Sequence, residues 1–135
     1  MVSAWPQSAP SASDDYSGMY SFLREGEFIQ ITVEDQGKVS GFISRYGDTE
    51  SDKDTFLDQF FEVGKLDTNH LSFTTQPVHG THFTFEGTIE RGTGKSLDEE
   101  AYYVVRGRLT HFKTDAEKKT TQESRSVEFK SFPRD

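Results

Sequence analysis

From Gly18 to Ser131 the chain is a succession of short segments in which apolar and polar residues alternate, separated by polar or glycine-containing turns. The first three are Gly18-Met-Tyr-Ser-Phe-Leu23, Glu27-Phe-Ile-Gln-Ile-Thr-Val-Glu34 and Lys38-Val-Ser-Gly-Phe-Ile-Ser44. A period of two belongs to a pleated strand with one face buried, and no helical period competes with it. Phe56–Val63, Leu71–Thr75, His82–Glu90, Ala101–Thr110 and Ser126–Ser131 read the same way. Sequential strands joined by short links make an antiparallel meander. About eight strands suffice to close a barrel, which removes exposed edges. The predicted fold is all-β: an antiparallel up-and-down barrel of about eight strands.

Two turns share one design. Leu23-Arg-Glu-Gly-Glu27 and Glu34-Asp-Gln-Gly-Lys38 each place three residues between strands, glycine last. Glycine there supplies the left-handed position of a bulged hairpin. The second turn sets Val33 opposite Val39, Ile31 opposite Gly41 and Ile29 opposite Ile43. One aliphatic face results, as a correct register requires. The other face carries Phe28, Gln30, Thr32, Ser40 and Phe42, and Phe22 and Phe60 are grouped with it. A barrel has one interior. With Ile29 and Ile43 inside, the aromatics Phe28, Phe42 and Phe60 point outward and mark an interface, for which a homodimer is expected. Coverage of the aromatics by the N-terminal tract, or inversion of the two faces, remains an alternative.

Composition narrows the class. The 135 residues fit one domain, read as residues 16–135, preceded by an irregular Ser/Ala/Pro-rich tether at 1–15. Twelve Phe and five Tyr suit a pleated aromatic core. The formal net charge of −8 opposes nucleic acid and anionic membranes as partners, since both select Lys and Arg. No apolar run is long enough for a membrane helix. With no cysteine, disulfides, thiolate chemistry and Cys-type metal sites are excluded. A tract like Val2–Asp15 commonly follows a cleaved export signal, with Met1 an added start codon. The expected address is therefore periplasmic or extracellular, and otherwise cytoplasmic.

The best candidate chemistry is a charge pair. The second-turn register puts Glu27 opposite Arg45 on the Ile29–Ile43 face, at the mouth of the barrel. Arg presents a planar fork to a carboxylate or phosphate. The same pair also suits a plain surface salt bridge. Arg106 and Arg108, alternating around Gly107, offer a second cation, again with a surface ion pair as the simpler reading. His79 and His82 lack a third ligand, so a polar turn followed by an outward strand residue describes them better. Asp48, Glu50, Asp52 and Asp54 alternate as in a calcium loop, but Lys53 stands where that loop needs glycine. Gly92-Thr-Gly94-Lys95-Ser96 fails the phosphate-loop pattern, because Ile89 occupies the position of its first glycine. No Ser–His–acid constellation has support. No catalytic residue, metal or cofactor is assigned.

Gly18-Met-Tyr20 resembles the Gly-x-Trp opening of lipocalins and avidins, with Tyr in the aromatic place. The following strand, Asp35-Gln-Gly37 and Val39-Ser-Gly41 are similar to the first hairpins of avidin-type barrels. The resemblance spans residues 18–47 and implies an eight-stranded up-and-down barrel with a pocket at one end. It does not carry biotin binding. That family's pocket is walled by tryptophans, and the single Trp here is Trp5, in the tether. Where the family has Asn and Ser ligands, this chain has Phe22 and Glu27. The resulting expectation is a non-enzymatic exported binding protein for a small molecule or a protein. The alternative is a filled barrel working through its aromatic outer face.

Overall fold

The computed structural model describes residues 15–47 and 55–134. Eight strands run β1 (Gly18–Ser21), β2 (Phe28–Val33), β3 (Val39–Tyr46), β4 (Phe56–Asp67), β5 (His70–Thr75), β6 (Thr81–Arg91), β7 (Tyr103–Thr114) and β8 (Thr120–Lys130). Each pairs antiparallel with its sequence neighbours, giving the order β1 to β8 in one curled sheet. The two edges then meet. Tyr20 bridges Ser131, Phe132 N–H donates to Met19 O at 2.9 Å, and Lys130 N–H donates to Ser21 Oγ at 2.9 Å. The predicted up-and-down barrel is the observed fold.

The β2–β3 register matches the expectation: Val33 faces Val39, Ile31 faces Gly41 and Ile29 faces Ile43. Ile29, Ile31, Val39 and Ile43 join Leu71, Phe73, Phe85, Ile89, Val105, Leu109 and Phe129 in the buried core, with Val33 packed partly buried against it. The first turn departs from its prediction. Tyr20 faces Ile29 and Ser21 faces Phe28, one residue out of step with a three-residue hairpin. A one-residue slip exchanges the two faces of a strand. Phe22 accordingly follows Tyr20 inward and is buried, which corrects its grouping with the outward aromatics. On β4 a bulge between Phe61 and Val63 has the same effect. Phe61 faces the core before it, whereas Val63 faces solvent after it and Leu66 takes the inward side.

The interior is filled for most of its length by an aromatic chain. Phe61 stacks on Phe73 at 4.3 Å, Phe73 on Phe85 at 5.3 Å, and Phe85 meets Phe129 at 5.8 Å. Phe129 then meets Phe22 at 5.3 Å, and Phe22 meets Phe83 edge-on at 5.7 Å. Each such pair adds about 0.5–1.5 kcal/mol beyond burial. Gly87 and Gly107 face each other across β6 and β7 within this layer. A Cβ on Gly87 would lie 2.7 Å from the Phe85 ring, so the bare backbone makes room for the stack.

The end where β1 begins and β8 finishes is clasped by Arg134. Its guanidinium donates to Ser17 O and, at 3.2 Å, to Asp15 O, while its backbone N–H donates to Leu97 O at 2.8 Å. Beneath it Tyr20 is fully buried and donates its hydroxyl to Tyr16 O at 2.7 Å.

Candidate ligand-binding site

At the opposite end, which holds the β1–β2, β3–β4, β5–β6 and β7–β8 connections, the interior turns polar. Glu27, Arg45, Gln59, Thr75 and Thr81 are all buried there. The barrel opens at this end into a cavity of about 420 Å³. Phe22, Phe83 and His111 form its floor, and Arg24, Glu27, Arg45 and Arg125 its walls.

Arg45 is 3% exposed. Its Nε donates to Gln59 Oε1 at 2.7 Å and its Nη1 to Tyr46 O at 3.1 Å. Its guanidinium carbon lies 5.2 Å from the centre of the Phe83 ring. Gln59 is held in turn, its Nε2 donating to Gln76 O at 3.0 Å and to Thr81 O. A polar side chain taken out of water needs such partners, and here they also fix the orientation of the guanidinium. His111 stacks on Phe83 at 4.7 Å.

Glu27 plays a different part. Its Oε1 accepts from Arg24 N–H at 2.8 Å and its Oε2 from Tyr46 N–H at 3.0 Å. The Arg24 Nε lies 3.6 Å from the same Oε2. The carboxylate thus staples the β1–β2 connection to the end of β3. Glu27 and Arg45 both line the cavity, as their predicted register implied. Glu27 accepts from two backbone amides and lies beside Arg24, while Arg45 donates to Gln59 and to Tyr46 O.

Arg106 and Arg108 do not join them. Val105, Gly107 and Leu109 take the inward positions of β7, so the residues between face outward. Arg106 bonds Glu128 at 2.8 Å and Glu90 at 2.9 Å on the outer surface. The hydrogen bond with Glu128, then Glu90, holds its pKa above the ordinary value. Arg108 borders a larger, open depression of about 670 Å³ on the outer face of β5–β7, among Ser72, Thr74, Thr84, Glu86 and Thr110. Those hydroxyl-rich walls belong to a bent sheet surface, where no buried charged side chain converges, so the smaller end cavity is the candidate site.

His79 lies in the β5–β6 turn with φ +50°, and His82 points outward and stacks on Phe112 at 4.5 Å. Among the described residues no three His, Asp or Glu side chains are grouped as metal ligands. The stretch from Gly92 to Ser96 lies in the β6–β7 connection. Asp48, Glu50, Asp52, Asp54 and Trp5 lie outside the described residues, as does most of the 1–15 tether. Phe28, Phe42 and Phe60 form an outer row, with ring centres 6.0 and 5.2 Å apart, and Phe60 is 54% exposed. Tyr46 and Phe56 stack beside it at 4.5 Å.

Sequence reasoning did not find Gln59, His111 or Arg125. Gln59 and His111 are polar residues at inward positions near the ends of their strands, a break in alternation that can be read. Arg125 was missed because β8 begins at Thr120, six residues before the predicted strand, where its residues are almost all polar.

The up-and-down order, the closure of β1 on β8 and the open polar end make an eight-stranded antiparallel barrel with one open mouth. No protein-family model and no curated protein matches the chain. Among solved structures it is similar to the crystal structure of a rhizavidin–biotin complex. The TM-score is 0.60 over 85% of this chain and 98% of that chain, at 12% sequence identity. The likeness is one of fold.

Proposed function

We propose that the chain is a non-enzymatic binding protein, acting in the periplasm or outside the cell, that takes a small molecule at the polar end of its barrel. One observation carries this reading: a cavity of about 420 Å³ where the filled aromatic interior gives way to fixed polar groups, chief among them buried Arg45. Ligand sites are typically concavities of this size, largely apolar with a few convergent polar groups. The similar barrel of known structure holds biotin. Here biotin is not the proposed ligand, since Phe22 and Glu27 replace its family's Asn and Ser and no tryptophan lines the cavity among the described residues. Binding is favoured over catalysis because the Glu27 carboxylate is committed to two backbone amides. The Ser/Ala/Pro tract supports export. Titrating a small-molecule fragment panel into the labelled protein and following amide NMR shifts tests the reading. Shifts centred on Phe22, Arg45, Tyr46 and Phe83 are expected, and a panel that moves none of these would overturn it.

A second reading rests on the outer aromatics. We propose that the Phe28–Phe42–Phe60 face seats a second copy of the chain. An exposed row of three phenyl rings on a sheet is apolar area that self-association would bury.

A further inference from the structure

We infer that the outer edge of β8 takes up an extended peptide as a further, antiparallel strand, with an acidic peptide residue opposite Arg125 and a basic one opposite Glu123. The observation behind it is a mismatch of lengths. β8 runs eleven residues, Thr120–Lys130, whereas β1, which closes the barrel against it, runs only four, Gly18–Ser21. β1 therefore meets β8 at its far end: Tyr20 bridges Ser131, Lys130 N–H donates to Ser21 Oγ and Phe132 N–H donates to Met19 O. Among the described residues, no strand lies beside β8 on this side from Thr120 to Glu128.

The alternation of the ladder fixes which backbone groups this edge offers. In an antiparallel pair, residues that exchange bonds with one neighbour alternate with residues that face away from it. Ser131 N–H donates to Tyr103 O at 3.0 Å on the β7 side, and Lys130 N–H donates to Ser21 Oγ at 2.9 Å on the other. The β7–β8 register runs without a bulge from the Thr114–Thr120 pair to the Val104–Lys130 pair, so the alternation continues along the whole strand. Gln122, Ser124, Ser126 and Glu128 thus direct N–H and C=O away from β7. They span about 20 Å, the length of a strand of about seven residues. Such a row is a template for another strand, and main-chain bonds supply the affinity in this mode of recognition.

The side chains choose the peptide. Proteins guard long edges with proline, bulges or inward-pointing charges. β8 has no proline and pairs with β7 without a bulge, but it carries the charges. Phe129 is buried and Val127 packs against the core, so Arg125 and Glu123, at the same alternation, stand on the inward face. Both are exposed. An apolar strand leaves the two charges unmatched, and like charges directly opposite are destabilising. A strand with an acidic residue facing Arg125 and a basic one facing Glu123 meets both, and wrong partners are rejected by the same charges. Val127, next on that face, calls for an apolar residue opposite it. Leu23, 38% exposed, borders the cavity that Arg125 lines and adds apolar surface beside the edge. From the N-terminus of the peptide, the recognised pattern is apolar, any, acidic, any, basic.

Blocked peptides titrated into the isotope-labelled full chain test this by amide NMR and hydrogen exchange. The matched peptide, acetyl-Thr-Val-Thr-Glu-Thr-Lys-Thr-amide, is expected to shift the amides of Gln122, Ser124 and Ser126 and to slow their exchange. The peptide with Glu and Lys exchanged should bind at least about 5-fold more weakly. N-methylation of the third and fifth residues, which face Ser126 and Ser124, should abolish binding, because it removes the donors of the new ladder. In the chain carrying both Glu123→Arg and Arg125→Glu, at two exposed positions, the preference between the two peptides should invert. The inference is overturned if the matched peptide at about 1 mM leaves the exchange of these amides unchanged, or if the two peptides bind equally. Shifts confined to Phe22, Arg45 and Phe83 overturn it too, by making the peptide a cavity ligand. So does protection of Gln122, Ser124 and Ser126 in the chain without peptide: the edge is then covered, by a second copy if protection rises with chain concentration and by the chain itself if it does not. The small-molecule reading of the cavity stands or falls separately, on the fragment panel.

Discussion

At the scale of single residues, two positions bear constraints that can be measured. Gly37 has φ +79°, and a Cβ there would lie 2.6 Å from Leu66 O. Gly37→Val therefore meets both a backbone conformation that β-branched residues resist and a steric contact with main chain. A loss of about 2–3 kcal/mol is expected in urea denaturation, and an unchanged midpoint would contradict the turn. Tyr20 is the second. Burial pushes its phenol pKa well above the ordinary 10.0, because the phenolate would have to form inside the barrel. A raised folded-state pKa leaves stability untouched below the unfolded value, where both states hold the proton. Above about pH 10 the unfolded chain ionises and the folded one does not, so stability falls by up to about 1.4 kcal/mol per pH unit. Tyr20→Phe loses the hydroxyl bond to Tyr16 O, about 1 kcal/mol at neutral pH, but lacks this alkaline slope. The two stability–pH curves should converge above pH 10, and parallel curves would show that Tyr20 ionises as easily folded as unfolded.

At the scale of elements, the β2–β3 hairpin was legible and the β1–β2 hairpin was not. The difference is physical. Asp35-Gln-Gly37 closes a tight turn, with Glu34 N–H donating to Lys38 O at 2.7 Å, so the strand register follows from the turn. Arg24-Glu-Gly26 closes differently. Glu27 N–H donates to Arg24 O at 3.0 Å, and the Glu27 side chain reaches back to Arg24 N–H. A side chain accepting a backbone bond offers an alternative to the ladder, and local alternation cannot reveal it. The same slip hid the inward place of Phe22, and with it the floor of the cavity. The bulge after Phe61 is likewise invisible in the pattern, since one extra residue leaves both flanking segments alternating. Arg45 and Glu27 could be placed because the second turn fixed their face, whereas Gln59 and Arg125 depend on strands whose ends the pattern left undefined. Because Glu27 staples two elements, Glu27→Gln is expected to cost about 2 kcal/mol, as an amide nitrogen would meet a backbone donor. Equal denaturation midpoints for variant and wild type would deny the staple.

At the scale of the whole molecule, a single interior cannot take both faces of β2 and β3, and the chain resolves this by placing Ile29, Ile31 and Ile43 inside and leaving Phe28 and Phe42 outside. Phe60 extends the row onto β4 and is the most exposed of the three. The proposed second copy would sit on this row by two-fold symmetry, so each phenyl ring counts twice in the contact. Burying one Phe is worth about 1.5–3 kcal/mol, and the symmetric pair about 3–6 kcal/mol. Phe60→Glu replaces that gain with two like charges at the interface, at a site where the fold itself loses little because the side chain is 54% exposed. Sedimentation velocity should show a dimer for the wild type and a monomer for the variant, with thermal midpoints that differ by no more than a surface substitution allows once measured at low concentration. A wild type that sediments as a monomer at the highest concentrations would remove self-association from this face. A variant that remains a dimer would place the contact elsewhere on the barrel.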